Sequence, residues 1–455
     1  MSIRIEHLGK LIDDMSIPGE RRVDGVAPAH GNATQLSRDR FLVLNSTLRF
    51  RGVDDNCSIT WQLRRDSYTG PIIKEGIFAK SIDDWYPLGP KYRCVRQFGH
   101  PVVFGRPKGA TVNGKPALHA NVFVIKWRVT ARVFVPEGGY IMWLSEPPEV
   151  RPRTQDVQWL QFRLSDDEND LEVIQSTTPM RQIGYEQGPD VCKHTGLWIN
   201  QTYVQPVPLN DAADEWAAVN HLARRVPDTE EIGRYAPLES YVAAARYRFN
   251  PDKGCYEWAD VGPLIGPGLF EGNISPHDGD WLIAARQLSG EPGVAWGRVN
   301  DPFTQTPQMT VPTDVASTSA PLSVYKCPDG VTRLCTGDRE ASPHGSNRDP
   351  IYLWDIDPDN DFKAVARHQI YSPRDDGNTI PHEHEPLADM VKLLMHTGGS
   401  VQTLIHRVRT CAMMVKEADY SSRILPMTDG DFNGTAIYHA AVHYDESYPP
   451  TWTFE

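Results

Sequence analysis

Asp278-Gly279-Asp280-Trp281-Leu282-Ile283-Ala284-Ala285 is a turn dipeptide followed at once by a short apolar run. Asp-Gly favours the tight turn that joins two antiparallel strands, because both central residues can take positive φ. The run after it is five residues long and rich in aromatic and branched side chains, which suits a strand and is too short for a helix. Asn113-Gly114, Asp329-Gly330 and Gly398-Gly399 repeat the signal. Asp278, Asp329 and Gly398 stand 51 and 69 residues apart, close to the period of four-stranded propeller blades.

Working outward, strand-like runs recur at Phe41–Leu44, Asn121–Ile125, Arg128–Val135, Tyr140–Leu144, Val157–Arg163, Ile351–Trp354 and Val401–Ile405. Gly, Pro, Asn or Asp bound them, and 37 prolines with 35 glycines suit many loops and few helices. One helix is expected, from Asn210-Asp211 as a cap through Ala212, Trp216, Val219 and Leu222 to Pro227, as an insertion between strands. A shorter one is expected after Pro386. The Thr-, Pro- and Ser-rich stretch 304–323 reads as a loop between blades, since strands on both sides look alike. The expectation is an all-β chain, 1–455, forming a single seven-bladed β-propeller of about 65 residues per blade, its ends meeting to close one blade. A propeller of five or six blades with longer loops is the alternative.

Fifty-nine acidic against 46 basic side chains give a net charge of −13, which argues against a partner that is duplex nucleic acid. No apolar run approaches the roughly 20 residues of a membrane helix. The chain is therefore expected to be soluble, with no membrane or nucleic-acid partner, and monomeric. No signal-peptide core follows Met1, so a cytoplasmic location stays open. Six Asn-x-Ser/Thr sequons, at Asn32, Asn45, Asn56, Asn200, Asn273 and Asn433, point instead to an extracellular one. Seven scattered cysteines make no disulfide scaffold. Cys327 and Cys335 flank Pro328-Asp329-Gly330, where a disulfide or half a zinc site fits, but buried free thiols are the favoured reading.

Several groups of residues carry possible chemistry. His100 and His119 lie on either side of the Asn113-Gly114 turn, and two imidazoles on one hairpin face can divide acid and base roles. Arg181 precedes Gly184-Tyr185-Glu186-Gln187-Gly188, a loop able to deliver Arg181 and Tyr185 to a cavity. Arg246 and Arg248 alternate with Tyr247 and so share one strand face. Asn273 lies in Glu271-Gly272-Asn273-Ile274-Ser275, where a loop leads into a strand. Inward arginines grip carboxylates and suggest an acidic substrate, although a surface salt bridge is the commoner use of any single arginine. His30 precedes the first strand run and is expected at the closure of the ring. Asp355, Asp357, Asp359 and Asp361 alternate like the start of a calcium loop, without its glycine and terminal glutamate. Pro381-His382-Glu383-His384-Glu385-Pro386 has i, i+2 histidines, which reads as an exposed loop.

His30-Gly31-Asn32-Ala33-Thr34-Gln35-Leu36, the Gly99-His100 and Leu118-His119 pair, and Phe270-Glu271-Gly272-Asn273 before Asp278-Gly279 resemble the seven-bladed propeller L-rhamnose-α-1,4-D-glucuronate lyases. Ulvan lyases and a family of propeller rhamnosidases are related to them. The resemblance implies a polysaccharide lyase acting on an acidic glycan that contains rhamnose and glucuronate. His100 and His119 match its histidine pair. Arg181, Arg246, Asn273 and, more weakly, Tyr185 match its substrate-holding residues. His30 matches the lone histidine of the rhamnosidase relatives. No metal-ligand set stands out, and a structural calcium or zinc ion is left open.

The chemistry agrees with that resemblance. A lyase removes the C5 proton of a uronate, and that carbon is weakly acidic until arginine or a cation neutralises the neighbouring carboxylate. A hydrolase more often shows two carboxylates flanking the bond, and no such pair stands out in this sequence. The alternatives are an α-L-rhamnosidase using His30, or a propeller that only binds carbohydrate.

Overall fold

The computed structural model describes residues 2–12, 27–48, 56–79, 82–87, 93–98, 102–104, 111–112, 115–116, 121–134, 140–142, 157–177, 198–201, 206–225, 238–252, 255–287, 293–315, 320–338, 340–341, 350–372, 387–409, 414–416, 422–424 and 436–451. Among them there is no helix, and every regular element is a strand.

The strands form antiparallel sheets of consecutive hairpins. The first runs Ala27–Ser37, Arg40–Leu48, Asn56–Arg65, Ile72–Ala79. A second is built on Glu215–Arg225, Leu238–Asn250 and Cys255–Val261, with Trp198–Gln201 and Val207–Pro208 along its leading edge. A third runs Leu269–His277, Asp280–Gln287, Val294–Val299, and its edge is extended where Trp296 and Thr310 exchange backbone bonds of 2.7 and 2.8 Å. A fourth runs Ser323–Lys326, Thr332–Gly337, Ile351–Asp357, Lys363–Tyr371. The closing sheet runs Leu387–Leu393, Gly399–Arg409, Ala436–Tyr448 and then back to Ile3–Ile12. Its last pairing sets Ile3 opposite Tyr444, so the two ends of the chain complete one blade as expected.

The core is divided between the sheets. In Arg40–Leu48, Leu42 and Leu44 pack toward Phe162 and Leu164, whereas Phe41 and Val43 pack toward Ile405 and Ile437 of the closing sheet. In Asp280–Gln287, Ile283 and Ala285 face Val219 and Val242, whereas Leu282 and Ala284 face Leu334 and Trp354. In the fourth sheet, Ile351 and Leu353 turn to Leu404 and Tyr438 of the closing sheet, and Tyr352 and Ile356 turn the other way. A strand whose odd and even side chains both find an apolar neighbour must lie in a sheet covered on both faces. Sheets stacked face to face in sequence order, and closed by the chain ends, are a β-propeller.

Three expectations are corrected. Five separate blade-like sheets stand among the described residues, not seven. Apart from the short pair Thr111–Val112 and Lys115–Pro116, the other strands join in one nine-stranded sheet because the 14-residue strand Asn121–Phe134 pairs with Val157–Leu164 along its first half and with Arg93–Phe98 along its second. The helix expected at 210–226 is the strand Glu215–Arg225. Asn210 does not cap it: its carbonyl accepts from Ala213 N at 3.1 Å and its amide donates to Asp214 Oδ1 at 2.7 Å, closing a turn. Residues 216–221 are buried on both faces, so their apolar pattern has no period to separate helix from strand, and packing overrides alanine's helix preference. The helix expected after Pro386 is the strand Leu387–Leu393.

Other readings hold. The free thiols Cys327 and Cys335 are both buried, in one apolar cluster. Asp278 and Gly279 both have positive φ, 46° and 90°, between two paired strands. Three sequon asparagines, Asn32, Asn45 and Asn273, are only 1% exposed within strands, so none of them can carry a glycan in the folded protein.

Candidate functional site

His100, His119, Arg181 and Tyr185 lie outside the described residues, as does the 381–386 segment. Between the two histidines Val112 pairs with Lys115 and Thr111 with Pro116, a short hairpin that carries neither of them. His30, Arg246 and Asn273 are described.

His30 stands near the start of Ala27–Ser37, the first strand of its sheet, and is 1% exposed. Its Nε2 lies 3.1 Å from Nη1 of Arg407, on the closing sheet, where Arg407 is 2% exposed. A guanidinium only donates, so Nε2 must accept and the imidazole is neutral, with its proton on Nδ1. His30 therefore sits at the ring closure, as the sequence suggested. At the next residue, Gly31, the two sheets pack closely: a Cβ there would lie 3.0 Å from Ile437 Cγ2.

A second group stands at the equivalent place on Leu269–His277, also the first strand of its sheet. Glu271 is 6% exposed and holds φ at 47°, a left-handed conformation costly for a non-glycine residue. Its Oε2 accepts from Arg286 Nη1 at 2.9 Å, and the guanidinium lies 5.6 Å from the centroid of Phe270. The ring of His221, itself 1% exposed, meets Phe270 edge-on at 3.9 Å between centroids. A Cβ on Gly272 would lie 2.2 Å from Val219 Cγ1, so only glycine lets this strand approach its neighbour. Both described motifs thus carry a buried polar side chain, His30 or Glu271, met by an arginine. The matching strand order of the two sheets places both at one rim of the propeller.

Asn273, 1% exposed, ties two blades together. Its Nδ2 donates to Leu322 O at 3.1 Å and its Oδ1 accepts from Val324 N at 3.2 Å. Arg246 and Arg248 do share a face, with Tyr247 buried between them, but their strand is interior to its sheet and does not border the axis. Arg246 places its guanidinium 4.2 Å from the centroid of Phe303. Arg248 is exposed and pairs with Glu215 Oε1 at 2.5 Å, the ordinary surface use of an arginine. Asp355 is not a calcium ligand in waiting: it is buried against Arg333 and His368, away from Asp359 and Asp361 in the turn that follows.

Sequence reasoning did not single out Glu271, Arg286, His221, Arg407 or Lys392. Glu271 was inside a quoted motif, and Arg407 follows an apolar strand run where a charge is unusual. Lys392, on Leu387–Leu393, is 5% exposed, and burial holds its amine down to about 7.

No protein-family model and no curated protein matches the chain. Solved structures do. Trypanosoma rangeli sialidase in complex with the inhibitor DANA aligns over 97% of this chain and 56% of its own, at 7% identity and a TM-score of 0.50. The NanB sialidase of Streptococcus pneumoniae aligns over 93% of this chain and 69% of its own, at 8% identity and a TM-score of 0.50. The chain spans about half the length of the Trypanosoma rangeli sialidase. At such identity the likeness concerns the fold, and it agrees with the β-propeller built above.

Proposed function

We propose that this protein is a propeller enzyme that processes an acidic carbohydrate, by β-elimination at a rhamnose-α-1,4-glucuronate linkage. The observation that supports a carbohydrate enzyme is the fold itself, shared over nearly the whole chain with proteins that are sialidases. The lyase reading rests on the motif resemblance. In support, the two described motifs lie at equivalent positions on first strands, each with an arginine at its polar residue.

In this reading Arg181 neutralises the substrate's uronate carboxylate with Tyr185 beside the sugar, while Asn273 and Arg246 hold the blades in place. His100 and His119 then take the C5 proton and supply one to the leaving glycosidic oxygen. An extracellular location would follow from such a substrate.

A second reading has a specific observation behind it. His30 is on the described rim, its Nε2 held 3.1 Å from Arg407 Nη1, and it is the residue that matches the lone histidine of the rhamnosidase relatives. One assay separates the two. The protein is incubated with rhamnose- and glucuronate-containing glycans such as gum arabic and ulvan. The lyase gives a product with the ultraviolet absorbance of an unsaturated uronate, lighter by one water than the hydrolysis product. Released rhamnose with no new absorbance supports the hydrolase, and neither product on any acidic glycan leaves a propeller that only binds.

A further inference from the structure

At the opposite end of Leu269–His277 from Glu271, the turn residues of two blades converge. His277 and Asp278 come from the third sheet, and Asp359 comes from the turn between the last two strands of the fourth. One ligating atom from each of the three lies within 4.8 Å of the others. The Asp359 turn is pinned to the third sheet from below: Phe362 stacks on Trp296, 5.3 Å between centroids and 16° between planes. We propose that His277, Asp278 and Asp359 form a site for a divalent cation of the zinc class that clasps these two blades together.

The spacing of His277 and Asp359 suits a shared ion. His277 Nε2 and Asp359 Oδ1 are 3.5 Å apart, at the outer limit of hydrogen bonding. Two ligands each about 2.1 Å from a tetrahedral ion are separated by roughly that much. His277 is 6% exposed, and its Nδ1 has no hydrogen-bond partner among the described residues. Asp278 and Asp359 are 69% and 64% exposed, which leaves the cation a way in.

Imidazole with two carboxylates is a donor set for zinc and its neighbours, whereas calcium takes six to eight oxygens, which this site does not offer. Two side-chain cations already face the group, and neither closes it. Lys326 Nζ is 3.7 Å from Asp278 Oδ1, a loose contact that an ion displaces. Arg298 donates to Asp359 Oδ1 at 2.6 Å but is also held by Asp280 Oδ2 at 2.6 Å, so it keeps a partner if Asp359 turns to a metal. Three carboxylates against two cations leave the group net negative before an ion arrives.

The test uses the full chain stripped with a chelator, titrated with zinc and separately with calcium and magnesium. Calorimetry reads stoichiometry and thermal unfolding reads stabilisation. One zinc equivalent should bind and raise Tm by a few degrees, through selective binding to the folded state, with calcium and magnesium inert at the same concentration. The Asp278→Asn/Asp359→Asn variant changes two exposed side chains, so its metal-free Tm should stay near that of the parent while the zinc equivalent is lost. His277→Ala should lose the same equivalent, and the exposed double variant keeps the test decisive if His277→Ala fails to fold. Undiminished zinc binding in the Asp278→Asn/Asp359→Asn protein assigns the metal elsewhere and overturns the proposal. So does a parent that binds no zinc, or one that prefers calcium.

Discussion

Arg333 and Asp329 form a two-point ion pair shut off from water: Nη1 to Oδ1 is 2.8 Å, Nη2 to Oδ2 is 2.6 Å, and the arginine side chain is 0% exposed. Nε of the same guanidinium donates to Asp355 Oδ1 at 2.8 Å, and its plane sits 5.8 Å from the Tyr444 ring of the closing sheet. Removing Arg333 leaves Asp329 without its guanidinium and Asp355 with only His368 beside it. Arg333→Met should therefore cost about 3–5 kcal/mol of stability, the scale for breaking a buried pair by deleting one partner. Urea unfolding of the variant checks this, and a loss under 1 kcal/mol would show that water reaches Asp329 and Asp355.

A histidine at the ring closure sets a pH dependence. Burial, and after it the charges of His7 and Arg64, hold His439 down to about 4, against 6.5 when unfolded. Between those values the unfolded chain binds the proton and the native chain does not, so stability falls as pH drops from 6.5 toward 4. His439→Gln should flatten that stretch of the curve of unfolding free energy against pH. An unchanged slope would assign the acid sensitivity to other groups.

Lys392 gives a slope of the same sign in a higher window. Its native value of about 7 lies below the unfolded 10.5, so between pH 7 and 10.5 the unfolded state holds more protons and stability rises with pH. Lys392→Met keeps much of the volume and removes the charge. Its stability relative to the parent should fall as pH rises from 7 toward 10. Chemical denaturation at pH 7, 8.5 and 10 gives the three points, and a constant difference would mean that Lys392 does not titrate in this range.

The catalytic reading separates by variant. His100→Ala and His119→Ala should each lower lyase turnover roughly 10²-fold or more, the scale of general acid–base work. His30→Ala should leave that turnover nearly unchanged, whereas rhamnosidase activity should vanish with it. Full activity of the His100→Ala/His119→Ala variant would end the lyase assignment. Assaying the three on one rhamnose–glucuronate substrate, by absorbance and by released rhamnose, reads all of these outcomes.

Much of the fold was legible because hairpins are local. Asp278-Gly279 reports its own turn, and Trp281–Ala285 its own strand, within a dozen residues. Glu215–Arg225 misled because burial on both faces erases the period, and Asn210 suits a turn as well as a cap. The blade count was harder to read, since one long strand, Asn121–Phe134, serves two sets of partners. The site was least legible. His30 and Arg407 meet across 377 positions, a contact no local pattern encodes. The cross-blade bonds of Asn273 are equally hidden, and from sequence that amide is indistinguishable from one that holds a sugar.

The pairing of Ile3–Ile12 with Ala436–Tyr448 has a consequence for how the protein is made. At about 5–20 residues per second of synthesis, the early strand waits some ~20–80 s for its partner to leave the ribosome. Throughout that wait it is an unpaired edge, open to association with other chains. Its own side chains supply the safeguard: Arg4, Glu6 and Lys10 all sit on its exposed face, and charges of both signs on an edge discourage wrong pairing. The latch that completes the ring is thus also a segment at risk in the newborn chain. Neutralising Arg4, Glu6 and Lys10 together would be felt first in the yield of soluble protein, and only afterwards in the stability of what folds.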